Sequence, residues 1–197
     1  MKSIFLSASV PDPKRHERYH GTADVIAIRD AVRAIATVVL PHAALHWGGH
    51  PAITPLIRVV AESVGVTGGD RVRLFQSAWF SEVLPKDNAA FERYELTDKK
   101  NTLEESVTEM RRVMLNSAQF DAAVFIGGME GIEIEYEMFR EIHPKAMIFP
   151  IASTGAAARI LFDRLRGELK LPIELERDYA YPSLFRRLLK IPINKRP

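Results

Sequence analysis

The feature that most restricts how this chain can fold is an alternation: a short apolar run, a turn of small residues, then a stretch with helical periodicity. The clearest run is Ala122-Ala123-Val124-Phe125-Ile126, which stops at Gly127-Gly128. A strand with one face in water alternates apolar and polar side chains, so a run apolar at every position fits a strand covered on both faces. Further strands are read at Ser3–Ala8, Ala44–Trp47, Asp70–Ser77 and Ala146–Ile151, with apolar segments less uniform than this one. Helical patterns separate them. One starts near Thr22 and sets Val25, Ile28, Val32 and Ile35 on a single stripe. A second opens on Thr54 as N-cap with Pro55 at the first helical position, runs to Val64 and closes on Gly65. Others are expected over 102–117, 131–142 and 155–166.

Strands alternating with helices predict an α/β fold, Rossmann-like, with an open, mostly parallel sheet and helices on both faces. The region from Ala78 to Lys100 is polar and aromatic without a clear period, and reads as irregular structure that could serve as a lid. Pro172 and Pro182 break the C-terminal part, which ends in a short helix over Leu184–Leu189. With no linker or repeat, residues 1–197 read as one domain, on which the extension from 170 to 197 packs.

Composition removes several function classes. The absence of cysteine excludes disulfides, thiol catalysis and thiolate metal sites, and fits a cytoplasmic protein. The 27 basic and 25 acidic side chains nearly cancel, so nucleic acid is an unexpected partner. The exception is the last dozen residues, where Arg186, Arg187, Lys190, Lys195 and Arg196 come without an acid. No apolar stretch approaches the roughly 20 residues of a membrane span. Neither GxGxxG after the first strand nor GxxxxGK[ST] occurs, the six histidines lack metal-ligand spacing, and Ser7 and Ser9 lack a GxSxG setting. No metal or cofactor is expected.

In an open α/β sheet a ligand binds beyond the carboxyl ends of the strands. Four strand exits carry small residues: Ser7-Ala8-Ser9, Gly48-Gly49-His50, Gly127-Gly128-Met129 and Ser153-Thr154-Gly155. Glycine lets main chain approach an anion, and the helix that follows presents unpaired N–H groups and the positive end of its dipole. A phosphate-bearing ligand follows as the expectation. On the helix after Gly127-Gly128, Glu133, Glu137 and Glu141 share one face, read as solvated. Glu135 falls with Ile132, Met138, Phe139 and Ile142 on the apolar side. A carboxylate there needs a partner or a task, because burying it alone is costly. On the preceding helix Arg111 borders the apolar stripe and could meet a phosphate or Glu135, whereas Arg112 points to solvent. Trp47, Trp79 and Phe80 are read as packing residues.

The segments carrying these groups resemble a known family. The run from Leu45 to Leu56, containing Trp47-Gly48-Gly49-His50-Pro51-Ala52-Ile53-Thr54-Pro55, is similar to the first glycine loop of the SLOG superfamily. Met110-Arg111-Arg112-Val113-Met114 followed by Phe120 to Glu135, with Gly127-Gly128-Met129-Glu130-Gly131, is similar to its second. That superfamily includes the Lonely Guy phosphoribohydrolases, DNA-processing protein A and sensor domains beside TIR and Sir2 effectors in bacterial conflict systems; the resemblance is nearest to its small standalone or TIR-associated sensor group. Allowing one inserted residue, Gly127, Gly128, Gly131 and Glu135 fall on the Lonely Guy PGGxGTxxE loop, with Ile126 and Ile132 in place of its proline and threonine.

The resemblance implies a sensor for a nucleotide or ADP-ribose-derived signal, acting in antiviral defence. Gly48, Gly49, Thr54, Gly127, Gly128, Thr154 and Gly155 would cradle phosphates, with Ser7, His50, Gly131 and Ser153 beside them. Glu135 would accept from ribose hydroxyls and Arg111 would neutralise phosphate. A homodimer or larger assembly and a TIR-type effector partner are implied in the same way. The competing implication is an N-glycosidase acting on a nucleoside monophosphate or NAD-like substrate through Glu135.

Overall fold

The computed structural model describes residues 1–192. Six strands form one sheet: β1 (Ser3–Ser9), β2 (Ala44–Gly48), β3 (Val72–Ser77), β4 (Tyr94–Thr97), β5 (Ala122–Gly127) and β6 (Met147–Ile151). Every pairing is parallel and the order is β4-β3-β2-β1-β5-β6. Leu6 of β1 is paired to Trp47 on one side and Val124 on the other. All six residues of β5 are buried, as its unbroken apolar run requires.

The helices are α1 (Glu17–His20), α2 (Val25–Val39), α3 (Thr54–Ser63), α4 (Leu103–Leu115), α5 (Glu130–Ile142), α6 (Ala156–Leu165), α7 (Glu174–Arg177) and α8 (Tyr181–Leu189). Strand alternation divides the core into two layers. Ile4, Leu6, Leu45, Trp47 and Leu74 face α2, α3 and α8. Phe5, Phe75, Ala123 and Phe125 face α4 and α5. There Phe5 stacks on Phe139 with ring centroids 5.4 Å apart. No helix among the described residues is long and apolar enough to cross a membrane.

The departures from expectation have local causes. The first long helix starts at Val25, not near Thr22, because the Asp24 side chain accepts the Ala27 N–H and caps it. In α3 Thr54 lies one residue inside the cap, which is Ile53; its hydroxyl turns back to accept the His50 N–H instead. β3 begins at Val72, since Gly69–Arg71 forms a 3-10 turn. The region from Ala78 to Lys100 holds two 3-10 segments and the edge strand β4. The C-terminal extension contributes α7 as well as α8, and α8 is longer than expected, packing Leu184, Phe185 and Leu189 into the α2 layer. Lys195 and Arg196 lie outside the described residues.

Candidate functional site

β1 leads into α2 on one face of the sheet, whereas β5 leads into α5 on the other. The strand order therefore reverses between β1 and β5, and such a reversal opens a crevice at the carboxyl ends of the two strands. The last residues of β1 and the first turn of α5 meet here.

Ser7 sits near the end of β1 with its side chain toward α5. Its hydroxyl donates to Glu135 Oε2 at 2.5 Å. Arg111, from α4, donates Nε–H to the other carboxylate oxygen at 3.2 Å. The two charged side chains are 15% and 13% exposed, so they are neither sealed in the core nor free in solvent. Glu135 accordingly lies inward at the mouth of the crevice, as its place on the apolar side of α5 predicts. Arg111 uses one N–H on Glu135, and its terminal amino groups meet no acceptor among the described residues. Gly131 makes this placement possible: a Cβ at that position would lie 2.9 Å from an Arg111 terminal nitrogen. The bare Cα lets a flat guanidinium rest over the helix start.

Gly127 and Gly128 turn the chain out of β5 with φ of 58° and 79°, where a side chain would be strained. Their amides are already engaged, Gly127 N–H with Thr154 Oγ1 at 2.9 Å and Gly128 N–H with the Ser9 carbonyl at 2.8 Å. The open donors lie one step further on. The N–H groups of Glu130 and Gly131, the first two residues of α5, have no protein acceptor among the described residues. The anion-binding capacity of this exit therefore belongs to the helix start, not to the paired glycines.

The other two exits do not join this arrangement. At the β2 exit the amides of Gly49, His50, Ile53 and Thr54 are all satisfied within the protein. Thr54 is fully buried, accepting from His50 and from Trp47 Nε1. His50 Nδ1 accepts the Ala52 N–H, which leaves the proton on Nε2, and burial lowers its pKa. Gly48 faces Met110 and Met114, and Gly49 is covered by the Gln76 amide.

At the β6 exit, the Ser153 and Thr154 side chains and Gly155, expected to cradle phosphate, make contacts within the chain itself. Thr154 is fully buried, donating to the Ile151 carbonyl while accepting from Gly127. Ser153 is hydrogen-bonded to the Tyr181 hydroxyl. Gly155, at φ 70°, is pressed so close to the Thr22 carbonyl that a Cβ would lie 1.8 Å from it. The amides opening α6 are also engaged, Ala156 with Thr22 Oγ1 and Ala157 with the Gly128 carbonyl. These contacts are made within the chain.

One carboxylate on the face read as solvated is not. Glu133 accepts the Tyr19 hydroxyl at 2.5 Å and pairs with Arg18 at 3.3 Å. Burial, reinforced by Glu133, pushes the Tyr19 hydroxyl up to about 12, so it remains a donor. Beside it Arg15 pairs with Glu130. Glu137 and Arg112 conform to expectation: both are solvent-facing and paired with local partners, Arg164 and Glu109. Sequence reasoning missed that the basic segment after β1 folds over the start of α5. The available signal was the juxtaposition of a basic stretch at 14–20 with acids at 130 and 133.

Comparison with known proteins agrees with this architecture. No curated protein matches the chain in sequence. The X-ray structure of TM1055, a Northeast Structural Genomics Consortium target, is similar at a TM-score of 0.52 and 16% identity, covering 83% of this chain and 81% of that one. At that identity the likeness speaks for the fold alone. A family model described as SLOG cluster3 matches residues 18–189, which contain both glycine turns, Arg111 and Glu135. The chain belongs to the SLOG cluster3 family.

Proposed function

We propose that the crevice between β1 and β5 binds a nucleotide-derived ligand and that the protein is a sensor of such a molecule. The observation that carries this reading is Arg111. It is a largely buried arginine with one N–H spent on Glu135 and its terminal fork unoccupied, beside two unpaired main-chain amides of α5. A fork of that kind matches a phosphate, and the amides and helix dipole add to the pull on an anion. Glu135, with both oxygens oriented by Ser7 and Arg111, keeps lone pairs for ribose hydroxyls.

With each oxygen already accepting one hydrogen bond, the carboxylate is oriented to hold a ligand hydroxyl at the crevice mouth. As a sensor, the protein would act by holding one assembly state, its own oligomer or a complex with an effector, through higher ligand affinity in that state.

The test is to incubate purified protein with nucleoside monophosphates, NAD and cyclic ADP-ribose isomers, following heat of binding and release of free base together. Saturable binding with ligand recovered intact, weakened roughly tenfold by Glu135→Gln, is the expected outcome. Base release that disappears in Glu135→Gln would establish a hydrolase instead.

A further inference from the structure

We propose that Arg15 and Arg18, on the connection between β1 and α2, bind a second phosphoryl group, so that the site selects nucleoside or sugar diphosphates over monophosphates. This rests on the reading of the β1–β5 mouth as a nucleotide site and names the substrate class of that site.

The connection carries Lys14, Arg15, His16, Arg18 and His20 within seven residues. Its backbone is fixed in three places. Ser9 accepts the Gly128 amide, Tyr19 is buried with its hydroxyl on Glu133, and Thr22 accepts the Ala156 amide. The arginine side chains are not fixed in the same way: Arg15 and Arg18 are 54% and 60% exposed. They lie on Glu130 and Glu133, both in the first turn of α5. The Arg15–Glu130 pair is exposed on both sides, and such pairs are weak and readily exchanged, whereas Glu133 is the more enclosed partner.

Helical geometry places the two cationic groups on opposite sides of the same helix start. Counting about 100° per residue from Glu130, Glu133 lies about 60° to one side, while Gly131 and Glu135 lie about 100° and 140° to the other. Arg111 rests on that second side. The sides are separated by about a helix diameter, roughly 10 Å, with the open amides of Glu130 and Gly131 between them. A monophosphate whose ribose is on Glu135 and whose phosphate is on Arg111 touches one side only. A second phosphoryl group extends across the helix start toward Arg15. There it outcompetes Glu130, because a phosphate offers more charge and more acceptor oxygens to a guanidinium than a single carboxylate does. Glu130 acts meanwhile as an internal stand-in for that phosphate, and one of its oxygens is buried without a donor among the described residues.

Calorimetric titration of the full chain with AMP and with ADP tests the assignment. Wild type is expected to bind ADP roughly tenfold more tightly than AMP. In Arg15→Ala/Arg18→Ala the ADP-to-AMP ratio should fall to near one. In Glu130→Gln, ADP should bind roughly two- to threefold more tightly, since the internal competitor is weakened. A general loss of structure cannot produce such a gain. Equal wild-type affinity for the two nucleotides, with both weakened by Glu135→Gln, would overturn the diphosphate assignment and leave the site reading standing. Binding of neither would overturn both.

Discussion

Arg111→Ala is expected to weaken nucleotide binding by about 100-fold, corresponding to about 3 kcal/mol from charge-assisted hydrogen bonds made in a partly desolvated site. The size follows from geometry. The guanidinium is mostly shielded from water, is held in place by Glu135, and has no other use for its terminal amino groups among the described residues. The ligand therefore meets a preorganised cation and little ordering entropy is lost on binding. Arg111→Lys should recover only a small part of the affinity. An ammonium cannot lie flat over Gly131 while donating to Glu135 and to two phosphate oxygens at once. The stability cost of Arg111→Ala should be modest, about 1 kcal/mol, because Glu135 keeps the Ser7 hydroxyl and some access to water. Calorimetric titration for affinity and denaturant unfolding for stability separate the two effects.

The second large effect is on stability against pH. His46, central in β2, is buried with Nδ1 at 2.9 Å from Ser117 Oγ and its ring against Phe75 and Phe120. Burial, with a contribution from the charge of Arg73, lowers its pKa from 6.5 to about 4. The unfolded chain therefore takes up this proton first as pH falls. Stability is intact above pH 6.5, declines below it, and stops declining on this account below about pH 4. The difference corresponds to about 3 kcal/mol, a large share of the stability of an ordinary domain. Urea unfolding at pH 7 and pH 4.5 should reveal most of that loss in wild type. His46→Phe should remove this component of the slope while leaving the contribution of the carboxylates. A wild-type protein as stable at pH 4.5 as at pH 7 would contradict the assignment.

What could be read from sequence followed the range of the interactions involved. Five of the six strands were legible because each carries a short apolar segment, unbroken in β5 and interrupted by Arg73 and Gln76 in β3, and that is a local pattern. β4 was not, since it has four residues and exposes Glu95 and Leu96 at the sheet edge. The inward placement of Glu135 was legible for the same reason, being fixed by the period of its own helix. Glu133 was misread because its partners, Arg18 and Tyr19, are more than a hundred residues away in the chain. The Ser153-Thr154-Gly155 exit looked like a phosphate cradle in isolation, yet it is occupied by Thr22, which no local pattern announces. Glycine in a turn reports close approach without saying whether a ligand or the protein's own backbone approaches. At Gly155 it is backbone, at Gly131 it is Arg111.

The most direct test of the β1–β5 crevice is a crystal structure of the chain grown with saturating ADP. The phosphates should lie within hydrogen-bond reach of the Arg111 terminal nitrogens and the Gly131 amide, with the ribose on Glu135. The opposite end of the sheet offers an alternative, a groove of about 500 Å³ lined by Lys2, Asp121, Lys145 and Lys190. Nucleotide in that groove, with the Arg111 fork left empty, would contradict the account.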